Sequence, residues 1–299
     1  MPSRREGAGG RWIEETVTEA EGLRTSLRAE RVLHEERSDH QDLVLFENRT
    51  FGRVLLLDGA IQVTTADEWA YHEMLAHVPL FAHGAARRVL VVGGGDCGLA
   101  RQVLRHPEVE RLVQVEIDPA VVEFSKTHFP AFTGPVMGDP RFELVIADAA
   151  RFLAETAGES DGERFEAILV DSTDPQGPGA ALFTRDFYAG CRGCLAPGGL
   201  LATQNGNPFL QAGELRSSVG HLRALFADAG CYLTAVPSYT GGHLALGWAT
   251  DDPALRWVPE AELAARHRAA GDFPTRYWMP AVQRAAFALP RFIAEIVEG

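Results

Sequence analysis

Nowhere in this chain do eighteen apolar residues follow one another, so no segment can cross a bilayer as a helix and no membrane role is expected. The first ten residues, MPSRREGAGG, are charged and glycine-rich and lack the apolar core of a secretory signal, so the expected location is the cytoplasm. Cysteine is scarce. Cys97, Cys191, Cys194 and Cys231 are too few and too scattered for a disulfide framework in 299 residues. Cys191 and Cys194 form a CxxC, but with no second pair and no nearby histidine. The surrounding FYAGCRGCLAPGG reads as a helix stopped by Pro-Gly-Gly, so free thiols are expected there in place of a zinc site. Bases are also in deficit: 28 Lys and Arg stand against 41 Asp and Glu, for a net charge of −13. Such a surface repels phosphate backbones and attracts cations, which argues against a nucleic-acid partner. Internal repeats and low-complexity tracts are missing too.

What is present suits a globular protein. Apolar residues make up 46% of the chain and charged ones 23%, and the length allows one large domain or a medium one with a small companion. Gln41–Phe46 and Arg53–Leu57 are short β-type runs, separated by turn residues at 47–50 and followed by Asp58-Gly59. They predict a small β-strand domain over residues 1–66. From Asp67 the spacing turns helical through Tyr71-His72-Glu73-Met74, opening a second domain over 67–299. There, apolar strands at 88–92, 112–115, 142–146, 165–170, 200–203, 232–236 and 244–248 alternate with helical segments. Asp118-Pro119 opens one of these helices, the Asp as cap and the Pro at the first position. This rhythm predicts an α/β fold whose mostly parallel sheet is covered on both faces. Only Pro237 to His243 separate the last two strands, too few for a crossover, so those strands are expected to pair antiparallel.

Gly93-Gly94-Gly95-Asp96-Cys97-Gly98 places a GxGxxG directly between a strand and a helix, and Glu116 ends the next strand about twenty residues on. That is a nucleoside site. Asp96 inside the loop would repel a pyrophosphate and suits a cationic ligand, which favours an S-adenosyl compound over a dinucleotide. Ligands of open α/β sheets bind beyond the carboxyl ends of the strands. Asp96, Asp148, Asp171 and Asp174 all fall on that rim, an arrangement explained by a positively charged substrate.

These residues carry a resemblance. The chain resembles the polyamine aminopropyltransferases, bacterial spermidine synthases in particular, over nearly its whole length. The shared stretches include His40-Gln41-Asp42, Phe51-Gly52, Leu57-Asp58-Gly59, Tyr71-His72-Glu73-Met74, Gly93-Gly94-Gly95-Asp96 and Val115-Glu116-Ile117-Asp118. Asp171-Ser172-Thr173-Asp174-Pro175, Gly177-Pro178, Gln204-Asn205-Gly206, Pro237-Ser238-Tyr239 and Gly241-Gly242 complete it. The resemblance implies a Rossmann-like S-adenosyl-dependent transferase sheet with an antiparallel last strand. It also implies transfer of an aminopropyl group from decarboxylated S-adenosylmethionine to putrescine, as part of spermidine biosynthesis. Asp171 would be the general base, with Asp96 and Asp174 holding the ammonium groups and His72, Gln204 and Tyr239 orienting the amine. Glu116 would take the ribose and Asp148 the adenine amino group, while Gln41, Gly93, Gly95, Ala149 and Pro178 would border the nucleoside. No metal or other cofactor is implied. The N-terminal unit resembles a family element that builds oligomers, so a homodimer or homotetramer is expected.

On the residues alone, His72 with Glu73 and His77 gives HExxxH, one residue off the zinc-protease spacing. Cys97 interrupts the family's second glycine pair, Ala149 stands for a common Gly, Thr65-Ala66 for a frequent Glu-Arg, and Ala180 for a frequent Glu. The missing acids bear on which amine is taken. Cadaverine, agmatine and spermidine are the alternatives to putrescine, and a class I methyltransferase is the alternative reaction.

Overall fold

The computed structural model describes residues 6–7, 10–158, 164–175 and 177–299. Strands β1 (Glu6–Gly7), β2 (Gly10–Glu15) and β3 (Thr25–Ala29) make a small antiparallel sheet. A second antiparallel sheet follows, of β4 (Arg31–Arg37), β5 (Asp42–Asn48), β6 (Gly52–Leu57) and β7 (Ala60–Thr64). Its turns follow from their residues. Asn48 Oδ1 accepts the amides of Thr50 and Phe51 at 2.9 and 3.0 Å, and the β6–β7 hairpin turns on Asp58 and Gly59, whose φ values are 48° and 81°.

Helix α1 (Glu68–His83) leads into the large sheet and ends at Gly84, which takes a left-handed cap. Next in order come β8 (Arg88–Gly93), α2 (Gly98–Val103), β9 (Arg111–Glu116), α3 (Pro119–His128) and α4 (Pro130–Met137). Then follow β10 (Phe142–Ile146), α5 (Ala149–Gly158), β11 (Phe165–Asp171), α6 (Arg185–Cys194) and β12 (Leu195–Gln204). α7 (Ala212–Arg223), β13 (Asp228–Ala235) and β14 (His243–Thr250) complete the sheet, whose order is β10-β9-β8-β11-β12-β14-β13. Neighbours from β10 to β12 pair parallel, whereas β14 runs antiparallel to both β12 and β13. Asp118 caps α3 as its sequence predicts, accepting the Ala120 amide at 2.9 Å.

The continuous apolar strands bury both faces. Val89, Val91, Leu169 and Ala202 pack with α1 and α2 on one side, while Leu90, Val92, Ile168, Val170 and Leu201 pack with Leu153, Phe187 and Tyr188 on the other. Coverage fails at the edge strand β10, where Ile146 is 47% exposed, because the helical layer ends there. The Pro-Gly-Gly of the FYAGCRGCLAPGG segment does not stop a helix. α6 already ends at Cys194, and Pro197 to Gly199 lie inside β12, at the register shift between Phe165 and Ala167 of β11. All four cysteines are buried free thiols.

The four-stranded sheet lies between the other two units. Leu43, Leu45, Leu55, Leu57 and Val63 pack on Val121, Phe124, Phe129 and Phe132 of α3 and α4; Phe46, Val54, Leu56 and Ile61 pack with Ile13 of β2. Period-two alternation thus puts every other residue on each neighbour. Of three C-terminal helices, α8 (Glu260–Ala269) and α9 (Pro280–Ala286) pack on the face that α1 covers, and α10 (Arg291–Glu298) packs with α7 on the other. The Glu73 carboxylate anchors the segment before α9, accepting the amides of Arg276, Tyr277 and Trp278 at 2.8 to 3.1 Å.

Candidate active site

The chain leaves β8 toward β10 on one side and returns to β11 on the other, so the strand order reverses between β8 and β11. Open α/β sheets bind ligands at such a point. There Gly93 pairs with Asp171, and the Gly94 amide donates to the Asp171 carbonyl at 3.0 Å. Gly93 has φ of 79°, and a Cβ on it would run into that carbonyl. A cavity of about 220 Å³ opens here, walled by the strand ends and by β2, β6 and β7 of the N-terminal sheets.

Gln41, His72, Gly93, Gly95, Asp96, Glu116, Asp148, Ala149, Asp171, Asp174, Gln204 and Tyr239 all line this one cavity. The side chain of Pro178 lies outside the described residues.

Glu116, Gln41 and Asp148 stand at one end. Glu116 is buried and its Oε1 accepts the Asp118 amide at 2.9 Å; burial pushes its carboxyl up to about 7 against that bond. Asp118 also accepts Ser38 Oγ at 2.7 Å and Gln41 Nε2 at 3.0 Å, which ties the loop before β5 to the site. Asp148 is exposed and its Oδ1 accepts the Arg151 amide at 2.9 Å, within the first turn of α5.

The other end is acidic and buried. His72 Nε2 lies 3.8 Å from Asp96 Oδ2, and its Nδ1 lies 2.7 Å from Glu68 Oε2. Burial works against charge on His72, but Asp96, Glu68 and Asp171 outweigh it and raise the imidazole to about 9. Burial raises Asp171 to about 6, helped by Asp96 and opposed by His72 and by the Tyr71 hydroxyl, which donates to Oδ1 at 2.8 Å. Asp96 and Asp174 are likewise pushed up by burial. Gln204 Nε2 donates to Asp174 Oδ1 at 3.3 Å, while Gln204 Oε1 is buried with no partner. An acceptor left in that state is what an ammonium group would satisfy. Tyr239 does not point at a carboxylate; its hydroxyl donates to the Gln62 carbonyl at 2.6 Å.

Among the described residues, His72, Asp96 and Asp171 are the grouping whose ligand atoms lie close enough, within 4.8 Å of one another, to hold a metal.

Two residues of the site were given no role by the sequence. Tyr71 stands in the Tyr-His-Glu-Met motif, but a helix buried on nearly all sides gives no sign of which side chain faces the cavity. Glu15 comes from β2, far away in sequence. Its carboxylate accepts the Ile61 amide at 3.1 Å and the Thr240 hydroxyl, and burial together with Asp174 raises it. Only the fold reveals it.

Comparison with known proteins agrees with this geometry. Residues 11–65 match the spermidine synthase tetramerisation domain and residues 68–257 the spermine/spermidine synthase domain. Polyamine aminopropyltransferase 1 of Pseudomonas aeruginosa is 47% identical over 284 residues, covering 95% of this chain and 96% of its own. The polyamine aminopropyltransferase of a Ruegeria species is 47% identical over 271 residues, 91% of this chain and 93% of its own. A spermidine synthase solved in complex with the transition state analogue AdoDATO superposes with a TM-score of 0.89 at 31% identity, covering 99% of this chain and 97% of its own. For the Thermotoga maritima spermidine synthase the TM-score is 0.86 at 29% identity, with 99% and 96% covered. The chain belongs to the spermine/spermidine synthase family and is an alkyl-transferring enzyme of the aminopropyltransferase type.

Proposed function

We propose that this enzyme transfers the aminopropyl group of decarboxylated S-adenosylmethionine to putrescine, releasing spermidine and methylthioadenosine. The observation that carries this reading is the row of carboxylates in one cavity, Glu15 buried and the three aspartates half-buried. Asp96 and Asp171 stand beside the glycine loop, and Asp174 and Glu15 lie further along. The first pair serves the reacting ammonium and the aminopropyl ammonium. The second pair supplies the anion that a second ammonium of a diamine requires.

Glu116 takes the ribose hydroxyls and Asp148 the adenine amino group, with Gln41, Gly93, Gly95, Ala149 and Pro178 around the nucleoside. A primary ammonium with a pKa of about 10.4 is almost wholly protonated at neutral pH. Asp171 accepts that proton as the nitrogen lone pair forms the new C–N bond. The C–S bond breaks and its electrons neutralise the sulfonium, leaving a thioether. A sulfonium needs no activation, so neither metal nor resident cofactor takes part. A positioned base contributes about 10²–10⁴ in rate, and in-line placement supplies much of the rest. Gln204 and Tyr239 fix the amine end; His72, itself a cation, would repel an ammonium and acts through Asp96 instead. Assembly runs through the N-terminal sheets, as a homodimer or homotetramer.

The test is methylthioadenosine release from decarboxylated S-adenosylmethionine with putrescine, cadaverine, agmatine and spermidine as acceptors, with and without a chelator. Putrescine is expected to give the highest kcat/KM, unchanged by the chelator. A different preferred amine overturns the acceptor, and no release with any amine overturns the reaction. Asp171→Asn is expected to abolish turnover while methylthioadenosine still binds; full turnover in that variant removes Asp171 as the base.

A further inference from the structure

Behind the site runs a chain of alternating charge. Arg101 Nη2 on α2 lies 2.7 Å from Glu68 Oε1, Glu68 Oε2 lies 2.7 Å from His72 Nδ1, and His72 Nε2 faces Asp96 Oδ2 at 3.8 Å. Glu68 and His72 are buried, and their side chains are 8% and 3% exposed. The slot is built for the ring. A Cβ on Gly98 would overlap it, and Phe132 of α4 meets it edge-on at 6.3 Å while also lying under Arg101 at 4.7 Å. Glu68 does not itself line the cavity and meets it through His72.

We propose that Glu68 is a positioning residue that keeps His72 an imidazolium, and that this buried cation is what allows Asp96 and Asp171 to be ionised together.

Two buried carboxylates at close quarters resist double ionisation: one of them normally stays protonated. Catalysis needs both as anions, Asp171 to accept a proton and Asp96 to hold an ammonium. A cation between them resolves the conflict, but an imidazole in a dry slot is by itself driven neutral. Asp96, Glu68 and Asp171 together reverse that preference, Glu68 through the direct contact at 2.7 Å, while His72 and then Arg101 offset the burial of Glu68. The groups facing this cluster are Glu68 and Tyr71 from α1, Arg101 from α2, Asp96 from the glycine loop and Asp171 from β11; Glu116 from β9 and Tyr239 stand next nearest. Apart from His72, Arg101 is the one cation among those groups; its contact is with Glu68, and it favours ionised Asp96 less than His72 and the Gly98 amide do, the latter donating to Asp96 Oδ1 at 2.6 Å. The balance between the two aspartates therefore rests on the charge of His72.

This inference rests on the proposed roles of Asp96 and Asp171. Its test is the pH dependence of kcat/KM for wild type, Glu68→Gln, His72→Gln and the double variant, with thermal melting as the check on folding. In each single variant the pH below which activity fails is expected to rise by about one to three units, the shift typical of losing one opposite charge at this range. The double variant is expected to move no further than either single one. A limb that stays in place in folded Glu68→Gln, or a loss equal at every pH, overturns the proposal. Should Glu68→Gln not fold, an unmoved limb in His72→Gln overturns it instead. These outcomes are separable from failure of the base assignment, which Asp171→Asn decides alone.

Discussion

Glu116 holds a carboxyl that burial has raised to about 7, and its proposed ligands, ribose hydroxyls, are hydrogen-bond donors. Donors prefer the ionised form, which prevails above that value. Methylthioadenosine is therefore expected to bind more tightly as pH rises through 7 and to release a proton on binding below it. Calorimetry in two buffers of different ionisation heat reads this directly; affinity flat from pH 6 to 8 removes Glu116 as the acceptor. Tyr71→Phe deletes the bond that favours ionised Asp171, and about a tenfold loss of kcat/KM at pH 7 is expected for a charged hydrogen bond of this kind. A smaller loss at pH 8.5, where Asp171 ionises unaided, separates this effect from misfolding. Cys97 is buried with φ of 64°, a conformation glycine adopts freely and β-branched residues do not. Cys97→Gly should melt within about 1 kcal/mol of wild type, while Cys97→Val should lose about 1–3 kcal/mol. The rim acids were legible in the sequence because each follows an apolar strand. Glu15, Tyr71 and Glu68 were not, since nothing local marks a carboxylate or phenol that meets the site only after folding.

Helix α1 shows why an element can be predicted while its orientation is not. Tyr71 and His72 face the cavity, Glu73 receives the three amides before α9, and Met74 packs in the core with the sheet residues. Four consecutive residues thus serve three different neighbours. Removing the Glu73 charge leaves those amides with a weaker acceptor; Glu73→Gln is expected to cost about 3 kcal/mol in urea unfolding, with catalysis at 25 °C intact once folded. A loss below 1 kcal/mol would show the C-terminal segment to be held by Trp278 packing alone. The parallel core strands were readable as apolar runs, and the antiparallel closing pair from its short connection. The β1–β3 sheet falls within the β-strand domain expected over residues 1–66, but its individual strands were not delimited. Its strands, such as GRWIEE and TSLRA, are rich in charge and give only a weak alternation.

At the scale of the whole molecule, the net charge of −13 and the acids of the cavity act in the same direction on the two cationic substrates proposed. Their approach should be steered by that field, and salt screens it within a Debye length of about 10 Å at 0.1 M. Raising ionic strength is expected to lower kcat/KM for the amine several-fold with kcat nearly constant; a fall confined to kcat would assign the acids to the chemical step only. Among the described residues no helix is long and apolar enough to cross a membrane.

The insertion of β14 between β12 and β13 has a consequence for biosynthesis. β13 leaves the ribosome before β14, its partner in the sheet, and β12 is likewise left with a bare edge until residues 243–250 emerge. Nascent chains halted in that interval carry unpaired strand borders on β12 and β13, the kind of edge through which incomplete chains pair with one another.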